Sequence, residues 1–373
     1  MEFLFLATFG EIMAYVGYVL LALLILLIMI TVHELGHYMV GKWLGFGIDE
    51  FAIGFGPKLF KRTRKSGELF SIRAIPLGGF CQFRGEDKES DDLKAFNNKK
   101  PWARILVLIA GALMNYITAL ILIVLLFGIY GQPTLNTYKL KPTEEVVSEY
   151  IDFREKDTII TANGKTVYLV SDLMGAVEGY AEGTAIPFTV RRNGNDIDIK
   201  VVLKCDAVFS SLEDTKTLYD ALGIYYETGE SGLQNGGLYS TYIKLPFFAT
   251  IGRSLEYSVK LGGTIFAVLG QLLTGRLGIR SMGGTVTTIA LTADAISRGG
   301  FRYFLNMASL IGVNLAVFNL LPIPALDGSR VVFTVIEWIR GKPINRKVEG
   351  IIHAIGFVLL IAFAVLVDLQ RCF

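Results

Sequence analysis

Four stretches of this chain are free of charge for long enough to cross a bilayer, and they constrain the fold more than any other feature. Ile12 to Val32 has no charged residue over 21 positions, Ile105 to Tyr130 none over 26, Tyr303 to Leu326 none over 24, and Gly350 to Val367 none over 18. A spanning helix needs about 17–25 predominantly apolar residues. The chain is 52% hydrophobic over 373 residues, which is too apolar for an ordinary soluble protein with 19% charged residues. The first run is too long for a signal-peptide core and lacks a basic start and a small-residue cleavage site, so it is expected to be a retained span. The apolar part of residues 246–275 is interrupted by Arg253, Glu256 and Lys260 and reads as an amphipathic helix lying on the membrane.

Charge distribution sets the expected orientation. Residues 41–104 hold 13 Lys/Arg against 8 Asp/Glu, and 327–349 hold 5 against 3. The segment 131–245 holds 11 against 17. The excess of Lys and Arg near span ends marks the cytoplasmic side. This predicts a multi-pass plasma-membrane protein with 41–104 and 327–349 inside, and both termini and 131–245 outside. Net charge is only +2, so nothing in the bulk charge suggests a nucleic-acid partner. The three cysteines, Cys81, Cys205 and Cys372, form no CxxC pattern and are expected to be unpaired.

Against this apolar background stands TVHELGHYMV, residues 31–40, at the end of the first run. Residues four apart share a helix face, so His33 and His37 can offer two imidazoles to one metal ion. Glu34 lies beside them, within reach of a metal-bound water, in the HExxH arrangement of two zinc ligands and a general base. Ionisable residues at membrane depth are costly to place and functional by default. Zinc at a catalytic site needs a third protein ligand and one open position. The best candidate lies in NLAVFNLLPIPALDGSR, residues 314–330, where Pro322 and Pro324 prevent a regular helix and Asp327 follows. Asp327 could instead cap the next helix, as Asp commonly does. The second metal-side motif on the same expected side of the membrane favours the ligand reading. His353 is expected to be a hydrogen-bonded packing group, and Glu337 and Arg340, three apart, a solvated pair.

These motifs resemble those of the site-2 protease family of intramembrane zinc metalloproteases, most closely the bacterial regulator of sigma-E protease type. HELGH is similar to the family's zinc motif, and NLLPIPALDG to its second motif, which implies Asp327 as third ligand. By the same resemblance Asn319, Pro322 and Pro324 line the site, Asn319 holding substrate backbone or the oxyanion. IGFGPKLF (53–60) resembles the family's Gly-Phe-Gly segment, and PLGGFCQFRGED (76–87) its membrane-reentrant β-loop, which implies Gly78 and Gly79 as substrate-binding. GALMNYITA (111–119) resembles the second-span segment, here with Asn115. Gly54, Gly56, Gly78 and Gly79 suit the turns such loops need, although glycines also make turns in any loop. Within 131–245, DTIITANGKTV and FTVRRNGNDIDIKVVLK each read as two strands about an Asn-Gly turn, with SDLMGAVEGYAEG as a short helix between them. This resembles a single PDZ domain over roughly 133–204, with IDFREKD in place of the usual approach to the first strand.

The expected architecture is therefore a polytopic α-helical membrane protein of four transmembrane helices with a membrane-associated β-loop and an inserted extracytoplasmic PDZ-like α+β domain. Its expected domains are 1–130, 131–245 and 246–373. The resemblance implies a Zn2+-dependent protease that cuts transmembrane segments of single-span proteins, with an anti-sigma factor or a remnant signal peptide as substrate. The other readings are a non-catalytic membrane scaffold that binds through the PDZ-like domain, and a sporulation-type site-2 protease.

Overall fold

The computed structural model describes residues 9–86, 90–138, 153–154, 156–209, 214–224, 226–228, 234–275 and 283–370. Cys372 lies outside these. The chain separates into two units, one formed by 1–126 with 251–373 and the other by 127–250.

In the first unit, four helices are long and apolar enough to cross a membrane. The first is α1 (Phe9–Trp43), which continues past the uncharged run and carries HExxH as its last polar turns. Two strands follow, β1 (Ile48–Thr63) and β2 (Leu69–Phe83). They are antiparallel, and each bends on itself. Residues 50–53 pair on one side with 79–82, as in Ile53 with Gly79, and on the other with 69–72, as in Ile53 with Ile72. Residues 58–63 then pair with 69–73. Four short segments thus lie side by side in the order 58–63, 69–73, 50–53, 79–83. The bend in β2 needs Gly78, whose φ is 148° and where a Cβ would run into the Phe55 ring.

The second spanning helix, α2 (Pro101–Tyr130), starts at a proline, where the missing N–H costs nothing. Val107 and Leu108 of α2 pack with Phe46, Phe83 and Phe96 to anchor the sheet to the helices.

The 127–250 unit is an antiparallel sheet with helices. It contains β3 (Gln132–Tyr138), β4 (Thr158–Ala162), β5 (Lys165–Thr166), α3 (Val170–Val177), β6 (Ala185–Arg192), β7 (Asn195–Val202), α4 (Thr215–Leu222), β8 (Tyr226–Thr228) and β9 (Gln234–Ile243). The strand order is β7-β6-β4-β3-β9-β8, with β5 on β4. Both expected hairpins form, with Asn163 at φ 51° and Asn193 at φ 52°, each followed by glycine, as a type I′ turn requires. The expected helix between them is α3, where the Asp172 carboxylate accepts the main-chain amides of Tyr168 at 2.9 Å and Leu169 at 3.0 Å. Ile186, Phe188 and Val190 alternate inward and pack with Ile159, Leu173 and Leu218 in one core. Asp157, wholly buried, is held by Arg192 through two bonds of 2.8 and 2.7 Å.

Four further helices complete the chain. They are α5 (Phe247–Leu273), α6 (Thr285–Leu320), α7 (Asp327–Arg340) and α8 (Arg346–Gln370). The interrupted stretch expected to be amphipathic is α5; Tyr116 Oη of α2 lies 2.8 Å from Ser258 Oγ on it, and Ile265 packs against Ala119 and Val313. The third apolar run differs from expectation at both ends. The helix begins 18 residues earlier than Tyr303, passing a kink at Gly300, and it stops at Leu320 because Pro322 and Pro324 follow. Asp368 of α8 caps α6, accepting the amides of Val286 at 3.0 Å and Thr287 at 3.1 Å. Ile25 and Met29 of α1 pack with Ile296, Ala308 and Ile311 of α6.

One expectation is corrected here. Glu337 is not half of a solvated pair with Arg340. It is 6% exposed, bonded to Arg104 of α2 at 2.6 Å and to Arg346 of α8 at 2.9 Å. It also accepts the Ile344 amide at 3.0 Å. The three-residue spacing hid this because both arginines come from other helices. Burial raises its carboxyl pKa, but the Ile344 amide and the two guanidinium groups outweigh that and hold Glu337 below its ordinary value.

Candidate metal centre

α1 presents His33 and His37 on one face, both buried. Their Nε2 atoms are 3.1 Å apart. Asp327 Oδ2, at the first residue of α7, is 3.0 Å from His33 Nε2 and 3.3 Å from His37 Nε2. Three ligand atoms on a tetrahedral zinc with bonds of about 2.0 Å are about 3.3 Å apart, so the triangle has the edge lengths of a zinc site. Asp327 Oδ2 is buried and makes no hydrogen bond. Three lone pairs gathered so closely are mutually repulsive unless a cation stands among them. The residues fit the metal, and His37 and Asp327 border a cavity. The alternative reading of Asp327 as a helix cap finds no support, since the cap residue of α7 is Leu326 and the start of α7 has no side-chain cap bond.

The surroundings orient these ligands. His37 Nδ1 lies 2.8 Å from the Val107 carbonyl. An Nδ1–H donated there leaves the Nε2 lone pair for metal, the usual outer support of a ligating histidine. Gly111, one turn along α2, packs directly on both rings: a Cβ there would run into His37 Nε2 and lie 2.7 Å from His33 Cε1. On the Asp327 side, Ala325 has φ 83°, a strained value for a residue with a side chain. Its N–H donates to His353 Nδ1 at 3.0 Å. The third histidine of the chain therefore holds the bend that delivers Asp327, and its ring also stands edge-on to Phe333 at 5.7 Å. Neither Gly111 nor His353 was singled out as a site residue from sequence. The signal for Gly111 was a glycine four positions before Asn115; for His353, it was a lone imidazole in an apolar run.

Glu34 faces a cavity of about 460 Å³ that is also lined by His37, Asp327, Cys81, Gln82 and Arg330. One wall is β2. Gly79 lies so close that a Cβ there would stand 3.5 Å from Glu34 Cγ. The 79–83 segment pairs with β1 on one side only among the described residues; on its other edge no strand lies, and the Phe83 amide donates to Glu86 Oε2 at 3.3 Å. Glu86, just past β2, pairs with Arg330 of α7 across the cavity. Cys81 is free, and burial, followed by the Glu34 charge, pushes its thiol pKa far up, so it is an inert wall.

The remaining expected site residues lie outside this cavity. Asn319 is in the last turn of α6, half-buried, and Pro322 is exposed in the connection to α7. Pro324 packs on Gly356 of α8 and lines an apolar groove with Ile352 and Leu359. Gly78 supplies the bend of β2. Asn115 is fully buried beside Gly312, and neither atom of its amide has a hydrogen bond.

Comparison with known proteins matches residues 21–363 to the model of peptidase family M50. A Clostridium perfringens protein named "Putative zinc metalloprotease" is 33% identical, covering 95% of this chain and 98% of its own length. An Agrobacterium fabrum protein of the same description is 30% identical, covering 94% of each chain. Zinc metalloprotease RasP of Geobacillus kaustophilus is 26% identical, covering 91% of this chain and 95% of its own.

Proposed function

The chain belongs to peptidase family M50, the site-2 protease family, and from that premise we propose that it cuts a peptide bond within or beside the transmembrane segment of a single-span protein, with His33, His37 and Asp327 as the zinc ligands. It is a multi-pass membrane zinc metalloendopeptidase. The observation that carries the finer reading is the position of the ligand triangle beside a strand edge that no second strand covers among the described residues. Bound zinc supplies Lewis acidity and makes water a nucleophile near neutral pH.

The chain's own residues do the rest. A transmembrane helix keeps its peptide bonds inside its own hydrogen-bond ladder and must be unwound before hydrolysis. The edge of residues 80–83, which no second strand covers among the described residues, accepts the unwound stretch as an added strand held by main-chain bonds, Glu86 giving up the Phe83 amide as it does so. That places a scissile carbonyl over Glu34. The Glu34 carboxylate takes a proton from the attacking water and returns it to the leaving amine. Asn319 and the Pro322–Pro324 turn close on the substrate from the α7 side, and Gly79 shapes its path beside Glu34, while Gly78 and the fully buried Asn115 support the walls without touching substrate. Val107 and Gly111 keep the two imidazoles aimed.

In this reading 41–104 and 327–349 face the cytoplasm, and the PDZ-like 131–245 domain lies outside and filters substrates by ectodomain size. The 1–130 and 246–373 domains form the membrane halves. Substrates are an anti-sigma factor already shortened outside, or a remnant signal peptide. The test is a photo-crosslinker at Gln82 in a Glu34→Gln background, offered a reconstituted single-span protein. A crosslink to its transmembrane segment is expected. Crosslinks confined to the substrate's soluble parts would overturn strand addition.

A further inference from the structure

The edge of the sheet farthest from Glu34 is unlike the rest of this unit's surface. Residues 58–65, KLFKRTRK, hold five cations in eight positions, and no acidic residue occurs from 51 to 67. Two of these cations serve the fold. Lys58 pairs with Glu50 at 3.0 Å, and Arg64 donates to Tyr38 Oη at 2.6 Å and approaches Glu68 at 3.3 Å. The side chains of Lys61, Arg62 and Lys65 have no hydrogen bond or ion pair with any described residue. Between the cations stand Leu59, 72% exposed, and Phe60, 50% exposed. Charged residues on an edge discourage a further strand, whereas exposed apolar residues rimmed by charge mark an interaction surface of another kind.

The structure also fixes the depth of this edge. Glu68, just past the turn, accepts from Lys42 Nζ and Tyr38 Oη, each at 2.9 Å. These belong to the last turns of α1, a helix long and apolar enough to span, and α1 ends at Trp43, 79% exposed. Tryptophan and lysine at the end of such a helix mark the membrane–water interface. The turn that closes the basic edge is therefore tied to the level where α1 leaves the bilayer.

We propose that residues 58–65 bind anionic phospholipid headgroups: Lys61, Arg62 and Lys65 meet the phosphates while Leu59 and Phe60 enter the acyl boundary. The chemistry is that of a basic, apolar-studded interfacial segment. The anchored edge fixes the height of the whole sheet, and so of the 79–83 edge beside Glu34. This does not depend on which substrate is cut.

The experiment uses the full chain with Cys205 and Cys372 replaced by serine and an environment-sensitive fluorophore on Thr63→Cys. The protein is reconstituted in vesicles of phosphatidylcholine alone or mixed with phosphatidylglycerol. Emission is expected to shift to the blue, and acrylamide quenching to fall, in the phosphatidylglycerol vesicles. High salt should reverse both changes, since headgroup attraction is screened. Each basic residue near an anionic surface contributes roughly fivefold. The Lys61→Gln, Arg62→Gln, Lys65→Gln variant should therefore lose up to about a hundredfold in preference for phosphatidylglycerol. Its zinc content should match the parent's. Identical spectra of the parent in both vesicles would overturn the proposal, and the parent's salt titration decides the matter even if the variant folds poorly. A variant that keeps the phosphatidylglycerol response but loses crosslinks to an acidic segment of a substrate would make this edge a protein contact instead, and the proposal would fail.

Discussion

At the residue scale, the clustering of His33, His37 and Asp327 was legible where it is local. HExxH sets two imidazoles and a carboxylate by helix period alone, and Asp327 stood out because prolines broke the helix before it. Gly111 and His353 were not legible as site residues, because their partners lie 74 positions away, at His37, and 28 positions away, at Ala325. Each gives a prediction. Gly111→Ala puts a methyl where His37 Nε2 and His33 Cε1 stand, so the rings must turn off the common point. Zinc content of the purified protein should fall well below one per chain while the helices persist by circular dichroism. Full zinc in that variant would mean the rings tolerate displacement. His353→Ala leaves the Ala325 amide without its acceptor, at a cost of roughly 1–3 kcal/mol. That loss should appear as zinc released at lower chelator concentration, and His353→Asn, which restores an acceptor, should recover most of it. Equal chelator sensitivity of the alanine and asparagine variants would deny His353 this positioning role.

Helix positions could be anticipated at the element scale, but the ties between helices could not. Uncharged length located all four spanning helices. The early start of α6 escaped because Asp294, Arg298 and Arg302 interrupt the run while the backbone continues through the Gly300 kink. Glu337 was misread because its arginines come from α2 and α8. Its folded carboxyl pKa is depressed. The stability it contributes is therefore present above its unfolded value, near 4.3, and is lost as pH falls through the lower folded value. Glu337→Gln leaves the buried Arg104 without a counter-charge, while Arg346 keeps Glu349 at 2.7 Å; removing one partner of a buried pair costs roughly 3–5 kcal/mol. Thermal unfolding in detergent at neutral pH should show a clearly lower midpoint for the variant, and the difference should shrink on acidification below about pH 4. A difference that stays constant with pH would show that the carboxylate charge is not what holds α7.

For the molecule as a whole, loop charge supports the proposed sidedness, with the 41–104 sheet in the cytoplasm and 131–245 outside. Ser66 is exposed in the turn of the sheet, and Val208, 70% exposed, lies in the other unit. Single cysteines at these two positions should label from opposite faces of sealed vesicles, Ser66→Cys from the cytoplasmic face. Labelling of both from one face would overturn the topology. The 127–250 unit was foreseen in its hairpins because Asn-Gly turns are local signals. The addition of β3, β8 and β9 to the same sheet was not, because pairings such as Leu135 with Ser240 span a hundred residues.

The central claim is that Glu34 moves the proton in a zinc-dependent peptide cleavage. Glu34→Gln keeps the helix and its shape, leaves His33, His37 and Asp327 untouched, and removes the only function that matters here, acceptance of a proton from water. The deciding measurement is cleavage of a reconstituted single-span membrane protein in liposomes, with a zinc assay on the same sample. Proton transfer by a positioned group is worth ~10²–10⁴ in rate. Cleavage should fall by at least that factor, with zinc retained at the parent's level. Parent-like cleavage by the glutamine variant would contradict this role of Glu34.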